Sequence, residues 1–407
     1  MTMWEQLRAL TPVQRNAFLA AYLGWTLDAF DFFILVFVIP DVAKTFKVEK
    51  TAVTYAIFLT LAFRPVGAFL FGWLGDRYGR RIPLLIDVVF YSVMELLSGF
   101  APTLTAFLVL RAIFGIAMGG EWGLGASLAM ETVPARTRGL LSGILQQGYP
   151  VGYLLAAIVF RFVFPVLGWR WMFFIGVLPA LLSLFIRFGV KESPVWVQSQ
   201  KARATQNLGQ SVKQNLGLFA YMAVLMAAFN FMSHGTQDNY PTFLRVQRHF
   251  SPDTVSTIAI IYNVGAICGG IFFGALSQRI GRRRAIVIAA LLALPIVPLW
   301  AYSRTAAMLA LGAFGMQFFV QGAWGVIPAH LSELAPNVLR GTFTGLAYQT
   351  GNLIASYNAT LQSRIADSHG GDYRLALASV ILVVLVAVAG ITALGREAPG
   401  ADFAADG

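Results

Sequence analysis

Runs of about twenty apolar residues, the length an α-helix needs to cross the hydrocarbon core of a bilayer, recur throughout this chain. Lipid offers the backbone no hydrogen bonds, so only helices or closed barrels span it. Runs this long select the helix. Twelve candidate spans are read at residues 16–39, 52–74, 82–100, 104–130, 138–162, 169–189, 216–242, 253–276, 285–302, 305–332, 341–365 and 373–394. With 57% hydrophobic and only 12% charged residues among 407, the chain reads as an all-α integral membrane protein. A soluble enzyme is excluded.

The net charge of +11 would suit a nucleic-acid partner if it were spread over one face, but it gathers in particular loops. Arg77, Arg80 and Arg81 follow span 2, Arg136 and Arg138 follow span 4, Lys201, Arg203 and Lys213 lie between spans 6 and 7, and Arg279, Arg282, Arg283 and Arg284 follow span 8. Basic loops stay on the cytoplasmic side. That places both termini in the cytoplasm, makes this a multi-pass protein of the plasma membrane in contact with lipid, and leaves no nucleic-acid partner. Cys268, the sole cysteine, lies in span 8, so no disulfide framework or cysteine metal site is expected. Residues 1–15 are polar and weakly amphipathic, and span 1 is too long and too acidic for a cleaved leader.

The chain also repeats itself. Gly72-Trp-Leu-Gly-Asp76-Arg77-Tyr-Gly79-Arg80-Arg81 pairs with Gly274-Ala-Leu-Ser-Gln278-Arg279-Ile-Gly281-Arg282-Arg283 at an offset of 202. The same offset pairs Gly120-Glu121-Trp122-Gly123 with Gly322-Ala323-Trp324-Gly325, and Glu131, Pro134, Arg138 and Gly139 with Glu333, Pro336, Arg340 and Gly341. Duplicated bundles with a site between them are a common transporter plan. The expected organisation is a six-helix bundle over 1–189, a cytoplasmic linker over 190–215 and a second six-helix bundle over 216–407.

Intramembrane charge present in only one half needs a reason other than scaffolding. Arg64 aligns with Ala266, Glu121 with Ala323, Asp28 with Asn230 and Asp31 with Ser233. Counting back from Gly72 and Glu131 at 1.5 Å per residue puts Arg64 and Glu121 roughly 12 and 15 Å from the cytoplasmic surface. An arginine at that depth can clamp a carboxylate while a nearby glutamate changes protonation. A static pair fixing two helices is the other reading. Asp28 and Asp31, at i and i+3, suit proton carriage, with partnership to Arg64 or helix capping as alternatives.

The densest polar string is Asn230-Phe-Met-Ser-His-Gly-Thr-Gln-Asp-Asn-Tyr-Pro-Thr242 in span 7. Asn230, Ser233, His234, Gln237 and Asp238 fall on one helical face. Polar groups at membrane depth face a cavity or a partner, so the stripe reads as a substrate wall. Gln146, Gln147, Tyr149, Gln317, Gln321, Tyr348, Gln349 and Asn352 are weaker cavity candidates. Asp87 and Glu95 in span 3 have no evident partner.

The motifs resemble the major facilitator superfamily: G-x-L-x-D-R-x-G-R-R after span 2, Arg111-x-x-x-Gly115 in span 4, and E-x-x-P-x-x-x-R-G after spans 4 and 10. That resemblance implies an ion-pair latch drawn from Gly72, Asp76, Arg77, Gly79, Arg80, Arg111, Glu131 and Arg138, with Gln278 removing the charge from the second copy. L-D-A-F-D-F in span 1 and G-G-E-W-G in span 4 are similar to the sialate and monocarboxylate proton symporter group. The span 7 string closely resembles the Jen-type lactate and pyruvate permeases, which implies functional roles for Asn230, Ser233, His234, Thr236, Gln237, Asp238 and Thr242.

The resulting expectation is a proton-coupled symporter of a small monocarboxylate, monomeric and without cofactor or metal, in a bacterial inner membrane. Arg64 would bind the carboxylate, and Asp28, Asp31, Glu121 or Asp238 would carry the proton. A sialic or aromatic acid symporter of the same fold, a uniporter or exchanger, and a transporter-like receptor that moves nothing are the alternatives.

Overall fold

The computed structural model describes residues 3–198 and 208–397, so part of the expected linker lies outside it. Among the described residues, eleven helices are long and apolar enough to cross a membrane: α1 Pro12–Phe46, α2 Ala52–Tyr78, α3 Arg81–Gly99, α4 Leu104–Thr132, α5 Ala135–Leu167, α6 Trp169–Gly189, α7 Leu216–Gln247, α8 Asp253–Ile280, α9 Arg282–Tyr302, α10 Ala306–Leu334 and, closing the chain, α12 Tyr373–Leu394. The twelfth position is filled by α11, Arg340–Ala355, which continues past a turn as Asn358–Ser368. Thr342, Thr344, Gln349 and Asn352 make α11 too polar to qualify by composition. Protein covers it instead of lipid, since α11 packs on α2, α4 and α7 and those four side chains are buried, the setting in which polar membrane helices are tolerated.

Local chemistry sets the helix ends, and it repeats between halves. Thr103 and Thr305 cap α4 and α10 by accepting the backbone N–H of Ala106 and Met308, satisfying donors a helix start leaves open. At the end of α2 the chain turns through Gly79 (φ 102°), and at the end of α8 through Gly281 (φ 93°). Only glycine adopts such angles at little cost. The following backbone N–H groups are held by carboxylates: Glu192 accepts from Arg80 and Arg81, and Glu397 accepts from Arg282 and Arg283. A Cβ on Gly79 would lie 2.2 Å from Glu192 Oε2. Gly79→Ala is therefore expected to cost about 1–3 kcal/mol and to lower the melting midpoint in detergent. Gly217→Ala, where nothing lies within 4 Å, is the matched control. Equal melting points for the two variants would show that the turn carries no strain.

The two six-helix sets meet along α2–α11 and α5–α8. Contact there is backbone to backbone: a Cβ on Gly72 would sit 2.7 Å from Thr342 Cα, and one on Gly274 would sit 2.7 Å from the Gly139 carbonyl oxygen. Small residues permit that approach in membranes.

Helix α7 departs from the expected straight span. Its regular α-helix ends at Gln237, Asp238 caps it, and the chain resumes as Tyr240–Thr242 followed by a wide π turn over Phe243–Gln247. Pro241 lacks the N–H that continuation would use. Thr242 thus lies beyond a break, out of phase with the stripe that begins at Asn230.

Candidate functional site

A cavity of about 430 Å³ lies between the two sets of helices. Of the residues expected to bind substrate or proton, Arg64, Asn230, Ser233, His234, Gln237 and Asp238 line it. Asn263, Ala266 and several aromatic side chains complete the wall. A larger hollow of about 740 Å³ beside Gln278 and Arg284 takes its lining from one half only, so it does not join the halves.

Helix α7 supplies one wall, held by a ladder of side-chain bonds. Gln321 Nε2 donates to Ser233 Oγ at 3.1 Å, Gln237 Nε2 donates to Gln317 Oε1 at 3.0 Å, and Gln317 Nε2 donates to Thr236 Oγ1 at 2.9 Å. His234 sits between two oxygens, with Nδ1 3.2 Å from Asp238 Oδ1 and Nε2 3.2 Å from Asn352 Oδ1. Each ring nitrogen thus has a polar partner, donating or accepting according to the tautomer. Thr236 is buried and committed to the Gln317 bridge. Neither it nor Thr242 lines the cavity, so the substrate contact expected of each is not what the structure places there.

The opposite wall corrects another expectation. Trp25, Phe32, Phe33 and Val36 of α1 line the cavity, whereas Asp28 and Asp31 do not. At 3.6 residues per turn, Asp28 is rotated by roughly 60° and Asp31 by roughly 120° from the Trp25–Phe32–Val36 line. Both are buried inside the first half, as is Glu121. The 202 offset overlays Asn230–Thr242 on Asp28–Pro40 and so leads one to expect the acidic face of α1 opposite the polar stripe of α7, but an aromatic face stands there instead. The static Arg64–Glu121 pair is also absent. Arg64 Nη2 donates to Met118 Sδ at 2.7 Å, and its guanidinium lies 5.2 Å from the Phe32 ring centre.

The buried polar atoms of the lining that lack a partner are all donors: Arg64 Nε, Trp25 Nε1 and Trp324 Nε1. Buried donors need acceptors. A site built this way suits an acceptor-rich, negatively charged ligand. Trp122 and Trp324, paired by the repeat, pack about Tyr348 with ring centres 4.5 and 5.8 Å away, forming an aromatic floor of which Trp324 and Tyr348 line the cavity and Trp122 stands behind them. Sequence reasoning passed over these tryptophans, together with Trp25 and Tyr262, because aromatic residues in a span are ordinarily read as lipid-facing. Of the weaker candidates, Gln146, Tyr149, Gln321, Tyr348 and Asn352 line the cavity, and Gln147, Gln317 and Gln349 do not.

Beyond that aromatic floor, ionic contacts cross between halves. Glu131 Oε1 accepts from Arg80 Nη2 and Arg340 Nη1, each at 3.0 Å. Asp76 pairs with Arg80 and accepts from the N-terminus of α11, at 3.0 Å from Gly341 N, 2.9 Å from Thr342 N and 2.6 Å from Thr342 Oγ1. A carboxylate at a helix N-terminus is stabilised by the helix dipole. In the second copy Glu333 takes Arg138 at 3.2 Å and Arg282 at 3.0 Å. Gln278 joins as an amide, accepting from Gly139 N at 2.9 Å and donating to the Ala135 carbonyl at 3.0 Å. Losing the charge has not cost that copy its contact with the other half.

Two residues expected in this network lie outside it. Arg77 is exposed and rests near the rings of Trp73 and Tyr78. Arg111 is near the start of α4, about 30 Å along the helix from Glu131 at 1.5 Å per residue. There it pairs with Glu95 at 2.7 Å and donates to Ser98 Oγ at 2.6 Å, which supplies the partner that Glu95 lacked.

Fold and site together define a membrane transporter, and the chain belongs to the sugar (and other) transporter family of the major facilitator superfamily, whose sequence model matches residues 17–216 and 212–399. The carboxylic acid transporter protein homolog of Saccharomyces cerevisiae is 32% identical over 391 residues, 89% of this chain; the chain spans 63% of that relative's length. The sialic acid transporter NanX of Escherichia coli is 30% identical over 400 residues, covering 97% of this chain and 96% of NanX. Among solved structures, the proton:xylose symporter XylE bound to 6-bromo-6-deoxy-D-glucose superposes with a TM-score of 0.77 at 20% identity over 95% of this chain and 97% of that one. The last likeness is one of fold alone.

Proposed function

We propose that the protein is a proton-coupled importer of a small monocarboxylate that works by alternating access, with bundles over 1–189 and 216–407 rocking about the central cavity. The observation that carries this is the set of unpartnered donors around Arg64, which fits a carboxylate better than a neutral sugar. Arg64 clamps the anion, and Asn230, Ser233, His234 and Gln237 hold its remaining oxygens. Asp238 trades protons with His234, while Asp28, Asp31 and Glu121 act from behind the wall. Gly72, Asp76, Gly79, Arg80, Glu131 and Arg138 serve the latch, placed on the cytoplasmic side with both termini. With that side held shut, Val36 and Pro241, which lie toward the outer ends of α1 and α7 in this orientation, line the cavity, and this supports a state that receives substrate from outside.

A cavity of about 430 Å³ falls within the range that suits drug-sized ligands, roughly 300–1,000 Å³, and is roomy for a three-carbon acid. That favours a bulkier acid as the second reading, and the printed name of the Escherichia coli relative points the same way. Purified carrier in proteoliposomes is expected to accumulate labelled lactate when the outside is made acidic, with pyruvate competing more strongly than sialate or benzoate. Accumulation that ignores the pH gradient would remove the symport reading. Stronger competition by sialate would move the substrate to the second.

A further inference from the structure

Three polar side chains of α3 have no place in the cavity or the latch. Asp87, Tyr91 and Glu95 stand at i, i+4 and i+8, one above another on a single face, with about 6 Å of rise per step. All three are fully buried. Asp28 and Asp31 of α1 and Arg111 and Glu121 of α4 interact with them, and Arg64 of α2 interacts in turn with Asp28 and Glu121; Tyr149 of α5 and Tyr348 of α11 add phenols that interact with Asp28. The groups are close. A Cβ on Gly176 would lie 2.3 Å from Glu95 Cγ and 3.1 Å from Asp31 Oδ1, and one on Gly120 would lie 2.9 Å from Asp87 Oδ1. The Tyr91 hydroxyl has no hydrogen-bond partner in this state, and Asp31, Glu121, Asp28 and Asp87 all act on it electrostatically.

Packing alone does not ask for this polarity. At the repeat offset, Asp87, Tyr91 and Glu95 correspond to Ala289, Ala293 and Val297, while Arg64, Arg111 and Glu121 correspond to Ala266, Ala313 and Ala323. All six counterparts are buried, so the second half fills the same places with aliphatic side chains. Charge balance adds a second constraint. Five carboxyl groups share this interior with two guanidinium groups, and each uncompensated buried ion costs several kcal/mol. The cluster is neutral only when it holds three protons.

We propose that Asp87, Tyr91 and Glu95 form a proton path through the first half, separate from the substrate cavity, between the Glu95–Arg111 pair and the Asp28 and Glu121 carboxyls near Arg64. The path rests on the proton-coupled reading above. Each hop breaks one O–H bond as the next forms. When Tyr91 accepts a proton on its oxygen it releases its own to the following carboxylate, so the phenol is unchanged and only the proton has moved. A substrate anion on Arg64 cancels charge that Asp28 and Glu121 had shared, and those carboxylates then draw a proton from the path.

Tyr91→Phe is the sharpest test, because it deletes only a hydroxyl that makes no hydrogen bond in this state, so the fold does not depend on it, whereas the relay needs it to reach its neighbours when protons move. Asp87→Asn is its companion. In proteoliposomes carrying the full chain, both variants are expected to keep lactate counterflow, which needs no gradient, and to lose pH-driven accumulation by roughly tenfold or more, the scale on which a positioned proton carrier acts. A dye inside the vesicles is expected to report loss of lactate-triggered acidification in parallel. Wild-type accumulation in Tyr91→Phe overturns the path, and so does an equal loss of counterflow and accumulation, which marks a structural role. Accumulation driven by a sodium gradient instead overturns the identity of the coupled ion. A wild-type carrier that ignores pH sinks the symport reading itself and the path with it, whereas a pH-driven wild type with fully coupled variants sinks the path alone.

Discussion

Replacing Arg64 with alanine is expected to abolish carboxylate uptake while leaving the protein folded in the membrane. Arg64 is the arginine of the cavity lining, and its Nε has no partner in the protein. Removing one member of a buried, charge-assisted contact costs about 2–5 kcal/mol, and at 1.4 kcal/mol per decade that is a loss of roughly 30-fold to several thousand-fold. The repeat supplies the folding control, since Ala266 occupies the equivalent position in the second half and is buried there. Arg64→Lys separates charge from shape: lysine retains the positive charge but lacks the planar fork that meets both carboxylate oxygens. Uptake by Arg64→Lys is expected to fall between wild type and Arg64→Ala. Initial rates in proteoliposomes, read beside ligand-induced shifts in melting temperature, measure both variants. Normal uptake by Arg64→Ala would remove the clamp.

Most of the architecture was legible because a bilayer leaves few choices. Span length marks the helices, and an ungapped repeat marks the pairing of halves, Gly79 with Gly281 among them; the structure extends that pairing to the caps Thr103 and Thr305. The exception is α11, expected as one span over 341–365 and found as Arg340–Ala355 and Asn358–Ser368; lying in protein, it escapes the composition rule lipid imposes, and nothing in its apolar pattern marks the break. The site was legible in part. The α7 stripe from Asn230 to Asp238 follows helical phase and reached the cavity; Thr242 did not, since the chain breaks at Asp238 and phase is lost. On α1 the rotation of 60–120° noted above, a matter of phase, decided between a wet wall and a buried cluster. The 202 offset aligns Asp28 and Asp31 with Asn230 and Ser233 of the stripe, but it does not fix which face of α1 turns inward, and the aromatic face holds that position. Asp87 and Glu95 looked unaccounted for only because their neighbours lie on other helices, which spacing along one helix cannot show.

Glu131→Gln is expected to open the latch. Its carboxylate oxygen takes Arg80 from its own half and Arg340 from the other, each at 3.0 Å, and all three side chains are almost wholly buried. Glutamine keeps the shape and removes the charge, leaving two buried guanidinium groups short of an anion. Breaking a buried pair from one side costs about 3–5 kcal/mol. The cost falls on the closed latch alone, because opening that end returns Arg80 and Arg340 to water, where exposed pairs are worth little. The balance between closed and open should therefore move by roughly two to three and a half powers of ten. A reporter is available at Ser127, buried at the junction of halves with its hydroxyl 3.4 Å from that of Thr344. In a Cys268→Ser background, Ser127→Cys should label slowly with a membrane-impermeant maleimide, and far faster once Glu131→Gln is added. Asp76 and the Glu333 contacts remain in that variant, so the carrier should still fold and still exchange substrate, but with its resting state turned toward the latch side. Unchanged labelling would mean that Glu131 fixes helices within the closed state and does not choose between states.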